Sequence, residues 1–158
     1  MPRRSITFIC LTAFVTLLVW TTARAAMPVA NAVPDSPATV ADRSSPVNVE
    51  HEGTDTIGAK LAFDLKELFN SSSLFTLSEK DEPKLQVLIS TAPEFPGRPA
   101  MGSAYAVIWV FHQGEGTFKL YLERETGIVT PEESAALAAR IAQKTDGIAV
   151  KYGYLFKK

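Results

Sequence analysis

"AYAVIWVFH", residues 104–112, is apolar on both sides of an extended chain. Tyr105, Val107, Trp109 and Phe111 alternate on one side, and Ala104, Ala106, Ile108 and Val110 on the other. A half-exposed strand would carry polar residues at every second place, so this run belongs in the middle of a sheet. After it, Gln113-Gly114-Glu115-Gly116 marks a tight reversal into residues 117–125. There Phe118, Leu120 and Leu122 share a face against Lys119, Tyr121 and Glu123, which predicts an antiparallel hairpin. Before it, Lys84 to Thr91 carries Leu85, Val87 and Ile89 on one face, and Leu74 to Ser78 is a shorter strand ending in the charged turn Glu79-Lys80-Asp81-Glu82-Pro83.

Helices flank these strands. Ile57, Leu61, Leu65 and Leu68 recur at helical spacing, with Phe69 at the edge and Lys60, Asp64, Lys66 and Glu67 on the other side. Asn70 and Ser71 to Ser73 end that helix, because their side chains compete for backbone hydrogen bonds. A second helix starts at "TPEES", with Thr130 as cap, Pro131 in the first turn and Glu133 closing a capping box. Leu137, Ile141, Ile148, Tyr152 and Leu155 carry one long helix onward, which Gly147 weakens without excluding. "VNVEH", residues 47–51, reads as a short first strand. The expected fold is α+β: an antiparallel sheet of about four strands with two helices on one face. The small Ala104 and Ala106 suit close helix approach, so that side is assigned to Leu61, Leu65, Leu137 and Ile141. The aromatic side is thereby left facing outward.

The chain begins with Met1-Pro2-Arg3-Arg4, an apolar stretch from Ile6 to Trp20 and the small-x-small site Ala23-Arg24-Ala25. This pattern predicts an export signal, residues 1–25, cleaved before Ala26. The competing reading is a retained anchor, for which the apolar stretch is short of the roughly 20 residues that span a bilayer. Cys10 sits inside the apolar core after bulky Ile9, unlike a lipid-bearing cysteine, and Arg3-Arg4 only partly fits a twin-arginine signal. Residues 26–46 carry Pro28, Pro34, Pro37 and Pro46 and few large apolar groups, a composition expected of a flexible spacer. A single α+β domain, 47–158, follows.

Cys10 is the only cysteine, so the exported part would rely on packing without disulfides, which favours a bacterial envelope protein over a disulfide scaffold. Three of the 16 basic residues leave with the signal, and the 13 that remain face 17 acidic ones. That balance disfavours a nucleic-acid partner.

Catalytic chemistry is sparse. The two histidines, His51 and His112, stand far apart and form no metal-ligand spacing. Asp81-Glu82 and Glu132-Glu133 read as a solvated turn and a helix start. Ser71 to Ser73 lack a nucleophile elbow, and Gly114 and Gly116 lie in a turn with no helix after them. No catalytic residue, metal or cofactor is expected.

"DTIGAKLAFDLKELFNSSSLFTLSE", residues 55–79, followed by "KLQVLIST", resembles a helix-then-strand unit of small envelope modules. These are the amino-terminal domain of the Tol-Pal propeller protein and related domains of curli-secretion and penicillin-binding-protein-activating lipoproteins. It is similar also to exported bacterial proteins of unknown function with Asp-x-(Val/Ile)-Gly and Leu-Lys-Glu elements, here Asp55, Ile57, Gly58, Leu65, Lys66 and Glu67. The resemblance implies an envelope module that works by protein contact, and it transfers no binding residue.

The expected function is an exported, non-catalytic protein-binding or assembly module, located in the periplasm or secreted. The alternative is a small hydrolase-like envelope enzyme whose site forms only in three dimensions. Two contact surfaces are candidates. One is the loop "APEFPGRPAMGS", residues 92–103, where three prolines would hold Phe95 and Arg98 outward. The other is the uncovered sheet face with Tyr105, Val107, Trp109 and Phe111, which would meet a second copy or another envelope protein.

Overall fold

The computed structural model describes residues 44–114 and 118–156. The expected signal and residues 26–43 of the expected spacer lie outside the described residues. The fold opens at Ser45, two residues before the expected start. Five strands and two helices follow: β1 (Ser45–Glu52), α1 (Thr56–Ser71), β2 (Phe75–Leu77), β3 (Lys84–Pro93), β4 (Ser103–His112), β5 (Lys119–Val129) and α2 (Ser134–Lys151). A short 3₁₀ turn, Gly153–Phe156, comes last.

The strands form one sheet in the order β2-β1-β3-β4-β5. The α+β class and the placing of both helices on one face agree with expectation. The sheet is mixed, however: β3–β4 and β4–β5 are antiparallel, whereas β1 runs parallel to both β2 and β3. The reason is α1, which carries the chain back along the sheet between β1 and β2, the connection that parallel neighbours require.

Helix α1 starts where the side chain of Asp55 accepts a hydrogen bond from the Gly58 amide at 2.7 Å. At α2 the expected capping box is half formed. Glu133 Oε2 accepts from the Thr130 amide at 3.4 Å, but the Thr130 hydroxyl donates to the same oxygen instead of capping an amide, and the helix begins at Ser134. Gly147 does not interrupt α2, since the helix continues through it.

The expected sides of β4 are exchanged. Tyr105, Val107, Trp109 and Phe111 point under the helices and are all buried in the main core with Leu61, Leu65, Leu137 and Ile141. Ala104, Ala106 and Ile108 face away from it and remain partly or fully exposed. The cause is volume: the layer between a sheet and its helices must be filled at near-crystalline density, and a row of alanines there would leave voids. Trp109 fills it completely, 0% exposed, and its Nε1–H donates to Thr145 Oγ1 at 2.8 Å. Four of the six proposed contact residues therefore belong to the core.

A bulge changes β5 as well. Val110 pairs with Tyr121 but Trp109 pairs with Glu123, so Leu122 is extra. The extra residue flips the alternation and turns Glu123 and Glu125 toward α2, where strict alternation puts Glu123 on the side of Tyr121. Lys144 then meets Glu123 at 2.8 Å and Glu125 at 3.3 Å, while Arg140 meets Glu125 at 3.0 Å.

Candidate contact surface

The loop between β3 and β4 is an ordered tip. The Glu94 amide donates to Gly102 O at 3.0 Å and closes its base. Above that, the Arg98 amide donates to Phe95 O at 2.8 Å and the Met101 amide to Arg98 O at 3.1 Å. These bonds define two successive turns, and each has a proline, Pro96 or Pro99, at its second position, where the fixed proline φ suits a turn. Phe95 is 49% exposed and Met101 53% exposed, and Arg98 is exposed beside them. Together with Pro96 and Gly97 they line a concavity of about 360 Å³. Of the expected contact residues, Phe95 and Arg98 are thus brought together at the surface. Met101 was missed, although it follows the same Pro-bounded pattern at the far side of the tip.

The second surface is the sheet face opposite the helices. The register sets its rows: Glu52, Ser90, Ala106 and Thr126 form one, and Glu50, Leu88, Ile108 and Arg124 the next. Leu88, Ala106 and Ile108 are half-buried, and Ile128 beyond them is 58% exposed. One end of the face is closed. There Lys84 Nζ donates to the carbonyls of Ser78 and Lys80, His112 Nε2 lies 2.6 Å from Asp81, and Val110 and Gln86 are buried. Glu50 accepts from Gln86 and Asn48 and lies 3.8 Å from Lys119. The signal for this face lay in the alanines of β4, which leave nothing large to bury.

Two polar clusters lie elsewhere. At the start of α1, Thr91 Oγ1 donates to Asp55 Oδ1 at 2.6 Å and lies 2.9 Å from His51 Nε2. Because the Thr91 proton points at Asp55, His51 meets the hydroxyl as a donor and is no base for it. Burial disfavours the charged Asp55, but hydrogen bonds from Thr91, Gly58 and Ser103 outweigh it and hold its carboxyl below the ordinary value. Such a carboxylate is a lock for the helix start. Gly58 completes it, since a Cβ there would fall 2.0 Å from Thr91 Oγ1. The Asp-x-Ile-Gly element thus has a packing cause.

Between β5 and α2, the Tyr105 hydroxyl donates to Glu125 at 3.2 Å and Arg140 Nη2 donates to Tyr105 at 3.0 Å. Burial and then the nearby Glu125 charge raise the Tyr105 hydroxyl above its usual value. Burial opposes the charge on Glu125, yet hydrogen bonds from Arg140 and Lys144 lower its carboxyl overall. Lys144 also stands 4.9 Å from the centre of the Trp109 ring, and the network fastens the sheet edge to α2.

Among the described residues no group of three or more His, Cys, Asp or Glu side chains could hold a metal ion, and no helix is long and apolar enough to cross a membrane. No family model matches the chain, and no curated protein matches it. Among solved structures it is similar to a Xanthomonas campestris protein of the family DUF330. The two are 10% identical with a TM-score of 0.46, and the match covers 77% of this chain and 92% of that one.

Proposed function

We propose that this protein is an exported, non-catalytic contact module of the bacterial cell envelope, which binds protein through the β3–β4 tip and through the uncovered sheet face. The observation that carries the reading is the tip itself. Two hydrogen-bonded, proline-set turns hold Phe95, Arg98 and Met101 outward, so little ordering entropy is lost when they dock. Aromatic, arginine and methionine side chains are the types enriched at protein interfaces. Export rests on the charged, apolar and small-x-small pattern of residues 1–25, and the envelope setting on that pattern, the cysteine-free remainder and the helix-strand unit of residues 55–91.

Affinity capture from an envelope extract tests it, with the wild type beside the double variant Phe95→Ala, Arg98→Ala. Both side chains are exposed, so thermal unfolding should be unchanged while a captured protein is lost. Equal capture by a folded double variant would show that the tip is a connection and nothing more.

A further inference from the structure

We infer that the uncovered sheet face is the interface of a symmetric dimer, formed with a second copy whose strands run alongside across a two-fold axis between β3 and β4. This rests on reading that face as a contact surface and adds who occupies it. The charge pattern carries the inference. Glu52 and Arg124 are exposed at opposite margins of the face, on β1 and β5, and neither side chain has an ion-pair or hydrogen-bond partner among the described residues. Glu50, in the row of Arg124, adds to the negative margin, although Lys119, Gln86 and Asn48 already engage it.

A two-fold axis parallel to the strands preserves height along them and exchanges left with right. With the axis between β3 and β4, β1 of one copy lies over β5 of the other, and Leu88 lies over Ile108. Each acidic margin then meets a basic one, twice. Glu52 and Arg124 stand one row apart, about 7 Å along the strands, a gap that an arginine side chain spans. An axis across the strands would instead set β5 on β5 and Arg124 near its own copy, so the charges select the orientation. Serine and alanine at Ser90, Ala92, Ala104 and Ala106 keep the middle low, which lets two sheets approach to the usual spacing of about 10 Å. Four strands and six residues of length give a footprint of about 400 Å² per copy, below the roughly 800 Å² per partner of a stable specific interface, so the association is weak and reversible.

Sedimentation equilibrium of the protein as its host accumulates it, at concentrations up to about 100 µM, tests the inference through a charge exchange. Arg124→Glu places two acidic pairs in the dimer and Glu52→Arg two basic ones, so each alone should raise the dimer dissociation constant at least about tenfold. Mixed in equal amounts, the two variants should recover most of the lost association as a heterodimer, because both contacts between positions 52 and 124 are again between opposite charges, while Glu50 of one copy faces the introduced glutamate of the other. Added salt should weaken the wild-type dimer. A monomeric wild type, single variants that dimerise as well as wild type, or a mixture that fails to recover association would each overturn the second-copy assignment. The contact-module reading is judged separately. A monomeric wild type that captures an envelope protein in an Arg124-dependent way keeps the face as a contact surface but gives it a different occupant.

Discussion

Trp109 and Ile108 are neighbours on β4 and lie on its opposite sides. Trp109 is sealed under α2, hydrogen-bonded to Thr145 and crossed by Lys144. Ile108 lies half-buried in a row that ends at Arg124, whose side chain has no ion-pair or hydrogen-bond partner among the described residues. The strand therefore has one side that fills volume and one that stays low, and the two answer to different demands. The filled side concentrates the stability of the domain. The low side holds little of it, which leaves it free to meet something else.

That contrast is broken most directly at the tryptophan. Trp109→Ala should destabilise the domain by about 3–5 kcal/mol, whereas Ile108→Ala should cost about 1 kcal/mol. Urea unfolding of both checks the difference, and equal losses would mean that the two sides are covered alike. Next in size is Gly58→Ala. Its Cβ would enter the space of Thr91 Oγ1, so a loss of about 1–3 kcal/mol is expected from overpacking alone.

Asp55→Ala should cost about 1–2 kcal/mol through the lost cap. It should also alter the pH dependence. Asp55 and Glu125 are both held below their ordinary values, so in the folded state they stay charged to lower pH than in the unfolded state. Their stabilisation is present above the ordinary carboxylate range and is lost as pH falls through the folded-state values. Stability measured downward from about pH 6 should therefore fall less steeply in Asp55→Ala than in the wild type. A parallel pair of curves would remove Asp55 from the acid response.

The smallest effect has the opposite sign. Gly147 is exposed inside α2 and nothing lies within 4 Å of where its Cβ would be. Gly147→Ala should raise stability by about 0.5–1 kcal/mol, read as a higher urea midpoint at unchanged slope. Gly58 and Gly147 are both helical glycines, and only the one facing the filled side is required.

What could be read in the sequence follows from which signals are local. The helical stripes of Ile57 to Leu68 and Leu137 to Ile148 are periodic, and both helices are present. The apolar run at 104–112 announces an interior strand, and β4 has neighbours on both sides. Its orientation was not legible because both sides are apolar, and the size argument favoured alanine where the packing demanded tryptophan. The β5 bulge was hidden too, since Leu122 is one residue in an otherwise regular alternation. The parallel pairing of β1 was more nearly readable, for a strand, a helix and another strand in immediate succession is the form a parallel pair takes. At the tip, the prolines marked Phe95 and Arg98 as outward, and Pro99, two residues before Met101, offered the same signal for Met101.

The interior position of β1 has a mechanical consequence. Because β1 and β3 are parallel, Ser45 and the Phe95 tip lie at opposite ends of the sheet. A load applied between a tether at the amino-terminal end and a partner gripping the tip runs along the strands. It strains the β1–β3 ladder from Val47 to Glu52 in shear, so its hydrogen bonds must yield together and cannot unzip one at a time. Endurance under such a load is set by the unfolding rate. The strand that leads the chain into the domain is thus also the one best placed to resist being drawn out of it.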